Sequence, residues 1–344
     1  MELLNTLYVT TQGAYLHLES DTVRIDVERS LRGRFPLLRL QNIVVFGNVL
    51  VSPALIARCA EDGRSIVLLS ERGRFSARIE GPVSGNVLLR RAQHLALSDP
   101  ERRVRIARAM LAGKLRNTRA VLLRGARDTR NADDRARLIV AAEAQRRSLE
   151  RLPDREAVDF LLGDEGEAAR AYFGAFSALV VSGQRNEFGL YERSRRPPRD
   201  RMNAVLSFLY TLVRGDCAAA LEGVGLDPQV GFLHALRPGR PALALDLMEE
   251  LRPILGDRLA LTLVNRRQLL PSHLEETPGG SWLLNDDGRK VVITAYQERK
   301  QEEVQHSVLE RKVQIGLLPH VQARLLARHL RNDLPRYVPF TTTS

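Results

Sequence analysis

Three short segments place acids or a histidine in unusual company. In Gly163 to Phe173, Glu165 lies among small residues, about one helical turn before Ala168 and Ala169. Small neighbours let a backbone or a ligand approach closely. In Gly231-Phe232-Leu233-His234, an apolar run ends in a histidine just before the Pro238-Gly239 turn. In Ala242 to Leu251, Asp246 and Glu249 stand at i,i+3 and share one face of an otherwise apolar helix. An acid in such a run is expensive unless it is paired or holds an ion. Singly, each segment has a structural explanation. Glu165 suits a helix start favoured by the dipole, His234 suits a satisfied, half-buried ring, and the acids suit internal ion pairs. Together, one histidine and two carboxylates suit a hard divalent cation, Mg2+ or Mn2+. Such an ion polarises a phosphoryl group and activates an attacking oxygen. Spacing along the chain does not by itself bring the three segments together.

The charge points to the substrate. Fifty-two Lys and Arg against 41 Asp and Glu give the 344-residue chain a net charge of +11, which favours a polyanionic partner. From Arg102 to Arg130 the only acid is Asp128, beside Arg102, Arg103, Arg105, Arg108, Lys114, Arg116, Arg119, Arg124, Arg127 and Arg130. A second run comprises Arg193, Arg195, Arg196, Arg199 and Arg201. A helix that is merely solvated mixes charge signs in i,i+4 pairs; these runs do not. Arginine suits bidentate phosphate contact. Aromatics make up 5% of the chain and do not interleave with the charges, so no stacking platform for single strands or RNA is indicated. Duplex DNA phosphates fit better, with Arg102, Arg105, Arg116, Arg119, Arg124, Arg195, Arg196 and Arg199 as candidate contacts. On this reading the arginines that grip DNA lie apart from the acids that hold the ion.

Two regions must position these groups. Residues 1–84 read as a β-rich domain. Ala14 to Glu19 and Thr22 to Val27 form a hairpin about Ser20-Asp21, and Pro36 to Phe46 forms a strand pair or one long strand. A short helix runs from Pro53 to Glu61 with Ser52 as its cap. Ser65 to Leu69 is another strand, and Arg74 to Ile79 alternates again. Turn signals at Gly81-Pro82 and Ser84-Gly85 close the region. Residues 85–344 read as a larger all-α domain, with one β-like interruption at Val291 to Ala295 that pairs with Ser281 to Leu284. Residues Pro339 to Ser344 read as frayed. The fold class is α+β. Two distant cysteines, Cys59 and Cys217, exclude a disulfide framework and a Cys-based zinc cluster. The expected location is cytoplasmic, since no secretory signal and no stretch of ~20 apolar residues is seen.

The segments also occur in a recognisable order. Asp164-Glu165-Gly166-Glu167-Ala168-Ala169-Arg170-Ala171-Tyr172-Phe173 is followed by Asp200-Arg201-Met202-Asn203-Ala204-Val205-Leu206-Ser207-Phe208-Leu209-Tyr210. Then come Gly231-Phe232-Leu233-His234 and Leu243-Ala244-Leu245-Asp246-Leu247-Met248-Glu249-Glu250-Leu251-Arg252-Pro253. Over essentially its whole length the chain resembles the CRISPR-associated adaptation integrase/endonuclease family, the "Cas one" proteins. From Gln297-Glu298-Arg299-Lys300 onward it is similar to the subtype I-C branch. The resemblance implies a metal-dependent DNA integrase and endonuclease. Such an enzyme joins short DNA fragments into the CRISPR array when a 3′-hydroxyl attacks a phosphodiester. It also implies Mg2+ or Mn2+ on Glu165, His234 and Glu249, with Asp246 as a supporting acid that orients His234. Tyr210 would stand near the site as a DNA contact, and Asn203 would have a structural capping or network role. The implied partners are DNA, both duplex and branched, a second copy of the chain through the β domains, and the small "Cas two" protein in a heterohexamer. A non-catalytic DNA-binding scaffold of the same complex is the alternative.

Overall fold

The computed structural model describes residues 2–3, 6–40, 42–71, 75–79, 81, 87–190 and 192–342, with the backbone alone at 2, 3 and 75. The chain divides into two compact units, Met1–Ser84 and Gly85–Ser344. Pro82, Ser84, Gly85 and Arg74, named above as turn or strand markers, lie outside the described residues.

The first unit contains β1 (Glu2–Leu3), β2 (Thr6–Val9), β3 (Ala14–Glu19), β4 (Thr22–Val27), β5 (Ser30–Pro36), β6 (Asn42–Phe46), β7 (Leu50–Val51), α1 (Pro53–Glu61), β8 (Ser65–Leu69) and β9 (Phe75–Ile79). Among the described residues these strands form a five-stranded sheet, β1-β2-β6-β8-β9, and a four-stranded sheet, β5-β4-β3-β7. The expected hairpin is β3–β4, and Ser20 and Asp21 both take positive φ in its two-residue turn. Ala14, Leu16, Val23 and Ile25 alternate inward from this pair and pack with Leu7, Ile43, Val45, Leu55 and Ile66. In β6, Ile43 to Phe46 are all buried, as a strand paired in parallel on both sides requires. Ser52 caps α1 by accepting the Leu55 N–H at 3.2 Å.

Pro36 to Phe46 is not one strand. A 3-10 turn, Leu37–Arg39, separates β5 from β6. At three residues per turn it buries Leu37 and Leu40 together and leaves Leu38 90% exposed.

The second unit contains α2 (Val87–Ser98), α3 (Pro100–Asp128), α4 (Ala132–Arg151), α5 (Val158–Ala175), α6 (Arg185–Phe188), α7 (Arg201–Gly223), α8 (Ala242–Arg252) and α9 (Arg258–Asn265). After these come β10 (Leu274–Glu276), β11 (Trp282–Leu284), α10 (Asp286–Gln301), β12 (Glu303–His306), β13 (Arg311–Gln314) and α11 (Leu318–Leu330). Helix α3 is the spine. Asp99 caps it by accepting the N–H groups of Glu101 and Arg102, Pro100 fills its first position, and 29 residues make it about 43 Å long. Its buried stripe is Val104, Ala107, Met110, Leu111, Lys114, Leu115, Thr118, Val121 and Leu122, set against α4, α5 and α8.

The unit is largely helical, as expected, with two small hairpins, β10–β11 and β12–β13, between helices. Three expectations for it need correction. Val291 to Ala295 is helical, inside α10, and Trp282–Leu284 pairs instead with Leu274–Glu276. The Asn285 cap and the acids Asp286 and Asp287 in the first turn override the β preference of Val291, Val292 and Ile293. Residues 339–342 are anchored, since Phe340 is buried and the Thr342 N–H donates to Asn117 Oδ1 at 2.9 Å. Lastly, α7 is long and apolar enough to cross a membrane by length and composition, although 67% of that window is buried within the fold.

Candidate metal centre

The site grows from one buried acid. Asp246, on α8, is fully buried. Its Oδ2 accepts the backbone N–H groups of Phe232 (2.6 Å) and Leu233 (2.9 Å). Its Oδ1 accepts the N–H of His234 at 2.9 Å and stands 2.6 Å from His234 Nδ1. The Phe232–His234 loop is thus wrapped around a single carboxylate. Gly231 makes this approach possible: a Cβ there would lie 2.7 Å from the Ala242 carbonyl carbon and 2.9 Å from Asp246 Oδ2. Arg103 adds a hydrogen bond to the Phe232 carbonyl at 3.0 Å. With Nδ1 donating to Asp246, Nε2 is the nitrogen left to ligate.

Glu249 lies one turn further along α8 and is buried. Arg252 donates to its Oε1 at 3.2 Å, and Lys114 Nζ lies 2.8 Å from its Oε2. Burial pushes the Glu249 carboxyl up; the charges of Arg252 and Lys114 overcome this and hold it down at about 2. Glu249 is therefore a carboxylate at any working pH. The same Lys114 ammonium donates to Glu165 Oε1, on α5. One buried cation thus joins two acids 84 positions apart in the chain, and His234 lies near enough to act electrostatically on Glu249.

Glu165, His234, Asp246 and Glu249 therefore fall in one neighbourhood, built from α5, the loop before α8, and α8 itself. Among the described residues no three His, Cys, Asp or Glu side chains stand in a finished ligating array. The Lys114 ammonium sits between Glu165 and Glu249. The donors nonetheless suit a hard divalent cation. Two carboxylates already share a cation, and the imidazole is aimed by a buried acid.

Lys114, part of the basic run from Arg102 to Arg130, is set apart from its neighbours in that run. It is 3% exposed and belongs to the site. The available signal was its register: three and four residues after Leu111 and Met110, and four before Thr118, it falls on the apolar stripe of α3.

The expectation for Tyr210 is corrected. It is buried on α7 and donates its hydroxyl to Asp257, which also accepts from Tyr172 at 2.9 Å. Arg193 and Arg252 flank its ring, with guanidinium carbons 5.3 Å and 5.1 Å from the centroid. Burial raises both the Tyr210 hydroxyl and the Asp257 carboxyl above their ordinary values. Tyr210 is thus a core residue supporting Arg252, with no face for DNA. Asn203 has its expected network role: it accepts from Arg193 (2.6 Å) and the Ser194 N–H (3.1 Å), and donates to the Glu192 carbonyl (2.9 Å).

The other candidate arginines are scattered over the surface. Arg105, Arg116, Arg124, Arg195, Arg196 and Arg199 are exposed, whereas Arg102 and Arg119 are half-buried. Arg102 reaches toward Asn332 Oδ1 at 3.4 Å, and Arg105 pairs with Glu101 at 3.4 Å. Arg124, Arg127 and Arg258 line one pocket with Asn117 and Thr342. Burial, with Arg299 and Arg124 nearby, lowers the Arg258 pKa.

Comparison with known proteins identifies the lineage. The family profile "CRISPR associated protein Cas1" matches residues 7–298. The chain is 55% identical over 338 residues to a CRISPR-associated endonuclease Cas1 of Moorella thermoacetica, covering 98% of each. It is 50% identical over 343 residues to one of Rhodospirillum rubrum, again covering 98% of each. A solved Cas1 protein from Thermotoga maritima superposes with a TM-score of 0.82 at 24% identity, covering 98% of this chain and 100% of that one. A casposase bound to an integration product gives 0.83 at 22%, covering 98% and 93%. A Cas6-RT-Cas1--Cas2 complex gives 0.81 at 19%, covering 98% of this chain and 36% of that one. At these identities the solved structures share the fold. The chain belongs to the CRISPR-associated Cas1 family.

Proposed function

We propose that this chain is a divalent-metal-dependent DNA integrase and endonuclease of CRISPR adaptation. It joins short DNA fragments into the array through attack of a fragment's 3′-hydroxyl on a phosphodiester. One observation carries the reading: Glu165 and Glu249 share a single cation beside an imidazole fixed by buried Asp246. Mg2+ or Mn2+ held by Glu165, Glu249 and His234 would supply Lewis acidity to the attacked phosphoryl group and lower the pKa of the attacking hydroxyl. The chain's own residues do the rest. Arg252 keeps Glu249 ionised, and Asp246 fixes the His234 tautomer. The nearby tyrosines Tyr172 and Tyr210 have their hydroxyls committed to Asp257, so neither serves as a nucleophile.

DNA is the substrate, gripped by the exposed arginines Arg105, Arg116, Arg124, Arg195, Arg196 and Arg199. Residues 1–84 form the dimerisation domain, where exposed Leu38 and Leu50 supply apolar surface. A Cas2-type protein is the further partner, in a heterohexamer. We place the protein in the cytoplasm and, from its sequence beyond Gln297, in subtype I-C. The decisive experiment is strand transfer of a labelled duplex fragment into a repeat-containing plasmid with Mn2+, against EDTA. Transfer by wild type and none by Glu165→Ala or His234→Ala is expected. Undiminished metal-dependent transfer by both variants sinks the proposal.

A further inference from the structure

Lys114 is the residue of the site that an integrase reading does not require. It is 3% exposed, on an apolar helix face, with its ammonium between Glu165 and Glu249. Burying a lysine cation costs several kcal/mol unless acids meet it at close range. Here the acids that meet it are the two proposed metal ligands. Glu249 also has a second cationic partner, Arg252, but Glu165 has no other ion-pair or hydrogen-bond partner among the described residues. Lys114 Nζ lies 2.8 Å from Glu249 Oε2, and Arg252 Nη2 approaches the same oxygen at 3.2 Å. If the ammonium leaves, Arg252 still faces that oxygen, while the hydrogen bond from Lys114 to Glu165 is given up.

We propose that Lys114 is an internal stand-in for the metal. With no ion bound, its ammonium neutralises Glu165 and Glu249 and keeps the pocket folded; on metal entry it leaves both oxygens and swings out of the pocket. The inference rests on the metal reading above and adds a competition: the ion must displace a tethered cation, so resting affinity is set by Lys114 as well as by the ligands. A divalent ion and an ammonium cannot hold the same two oxygens, because their like charges repel strongly at contact distance.

The test uses the full-length protein and Mn2+ alone. The chain has four lysines, Lys114, Lys290, Lys300 and Lys312, so peptide mapping resolves each. Wild type is treated with an amine-acylating reagent with and without Mn2+, and bound Mn2+ is followed by electron paramagnetic resonance. Lys114 is expected to be protected without Mn2+ and labelled with it, while Lys290 and Lys312 label equally in both. Lys114→Met, folded by circular dichroism, is expected to bind Mn2+ roughly tenfold more tightly than wild type and to gain more thermal stability from the ion. Mn2+ binding with Lys114 still protected, or unchanged or weaker affinity in Lys114→Met, overturns the stand-in alone. Failure of wild type to bind Mn2+ overturns the metal reading and the stand-in with it.

Discussion

His234 Nδ1 lies 2.6 Å from Asp246 Oδ1, the same oxygen that accepts the His234 backbone N–H. Side chain and backbone of the histidine are thus registered to one acid, and Nε2 has one direction to face. Asp246→Asn keeps the shape but removes the charge that fixes the tautomer. Its expected effect is a ~10–100-fold loss of Mn2+ affinity and strand transfer. Asp246→Ala strands three buried N–H groups, at about 1–3 kcal/mol each, and should lower the thermal midpoint as well. Normal activity in Asp246→Asn would remove its orienting role.

Glu165 and Glu249 should differ when substituted. Glu165 is partly exposed, so Glu165→Ala is expected to fold normally and lose transfer. Glu249→Ala leaves Lys114 and Arg252 buried beside a vacancy, and should destabilise the fold by about 3–5 kcal/mol. Denaturant titration of the two variants checks the contrast; equal stability would argue against the buried triad.

Tyr210→Phe removes one of two hydroxyls donating to buried Asp257. A loss of about 1–3 kcal/mol in stability is expected, with DNA affinity at fixed salt unchanged. Weakened DNA binding by the folded variant would return Tyr210 to the DNA interface.

Neutralising Arg116, Arg119 and Arg124 together tests the basic face of α3. Each lost phosphate contact lowers the slope of log K against log salt by roughly 0.9, so a drop of up to about 3 is expected, with Mn2+ binding unaffected. An unchanged slope would make that face merely solvated.

Glu250 predicts a pH effect. Burial pushes its carboxyl from 4.5 up to about 8, although Tyr337, Gln322 and the Phe340 N–H all donate to it. Between these values the folded protein holds a proton that the unfolded chain releases. This contribution is complete below pH 4.5 and is lost as pH rises to 8, at up to about 1.4 kcal/mol per pH unit. Glu249 has the opposite sign: held at about 2, it stabilises above pH 4.5 and loses that contribution as pH falls toward 2. Urea midpoints from pH 5 to 8.5 should fall for wild type and flatten in Glu250→Gln. Parallel curves would exclude Glu250 as the titrating group.

The sequence by itself determined what local rules control. Alternation fixed the β3–β4 hairpin, Ser52-Pro53 fixed the start of α1, and i,i+3 spacing put Asp246 and Glu249 on one face of α8. The acids and histidine of the site were legible because an acid in an apolar helix demands a partner. β-Propensity misled at Val291–Ala295, where the Asn285 cap and the acidic first turn of α10 outweighed β-branched side chains, and at Tyr210, whose apolar helix hid a hydroxyl that needed Asp257. Only the tertiary structure decided which partner each charge found. Lys114, one cation in a run of ten, was drawn inside because α3 turns that position toward α5 and α8. Helix register sets the direction of a side chain, but only packing decides what charge it meets there.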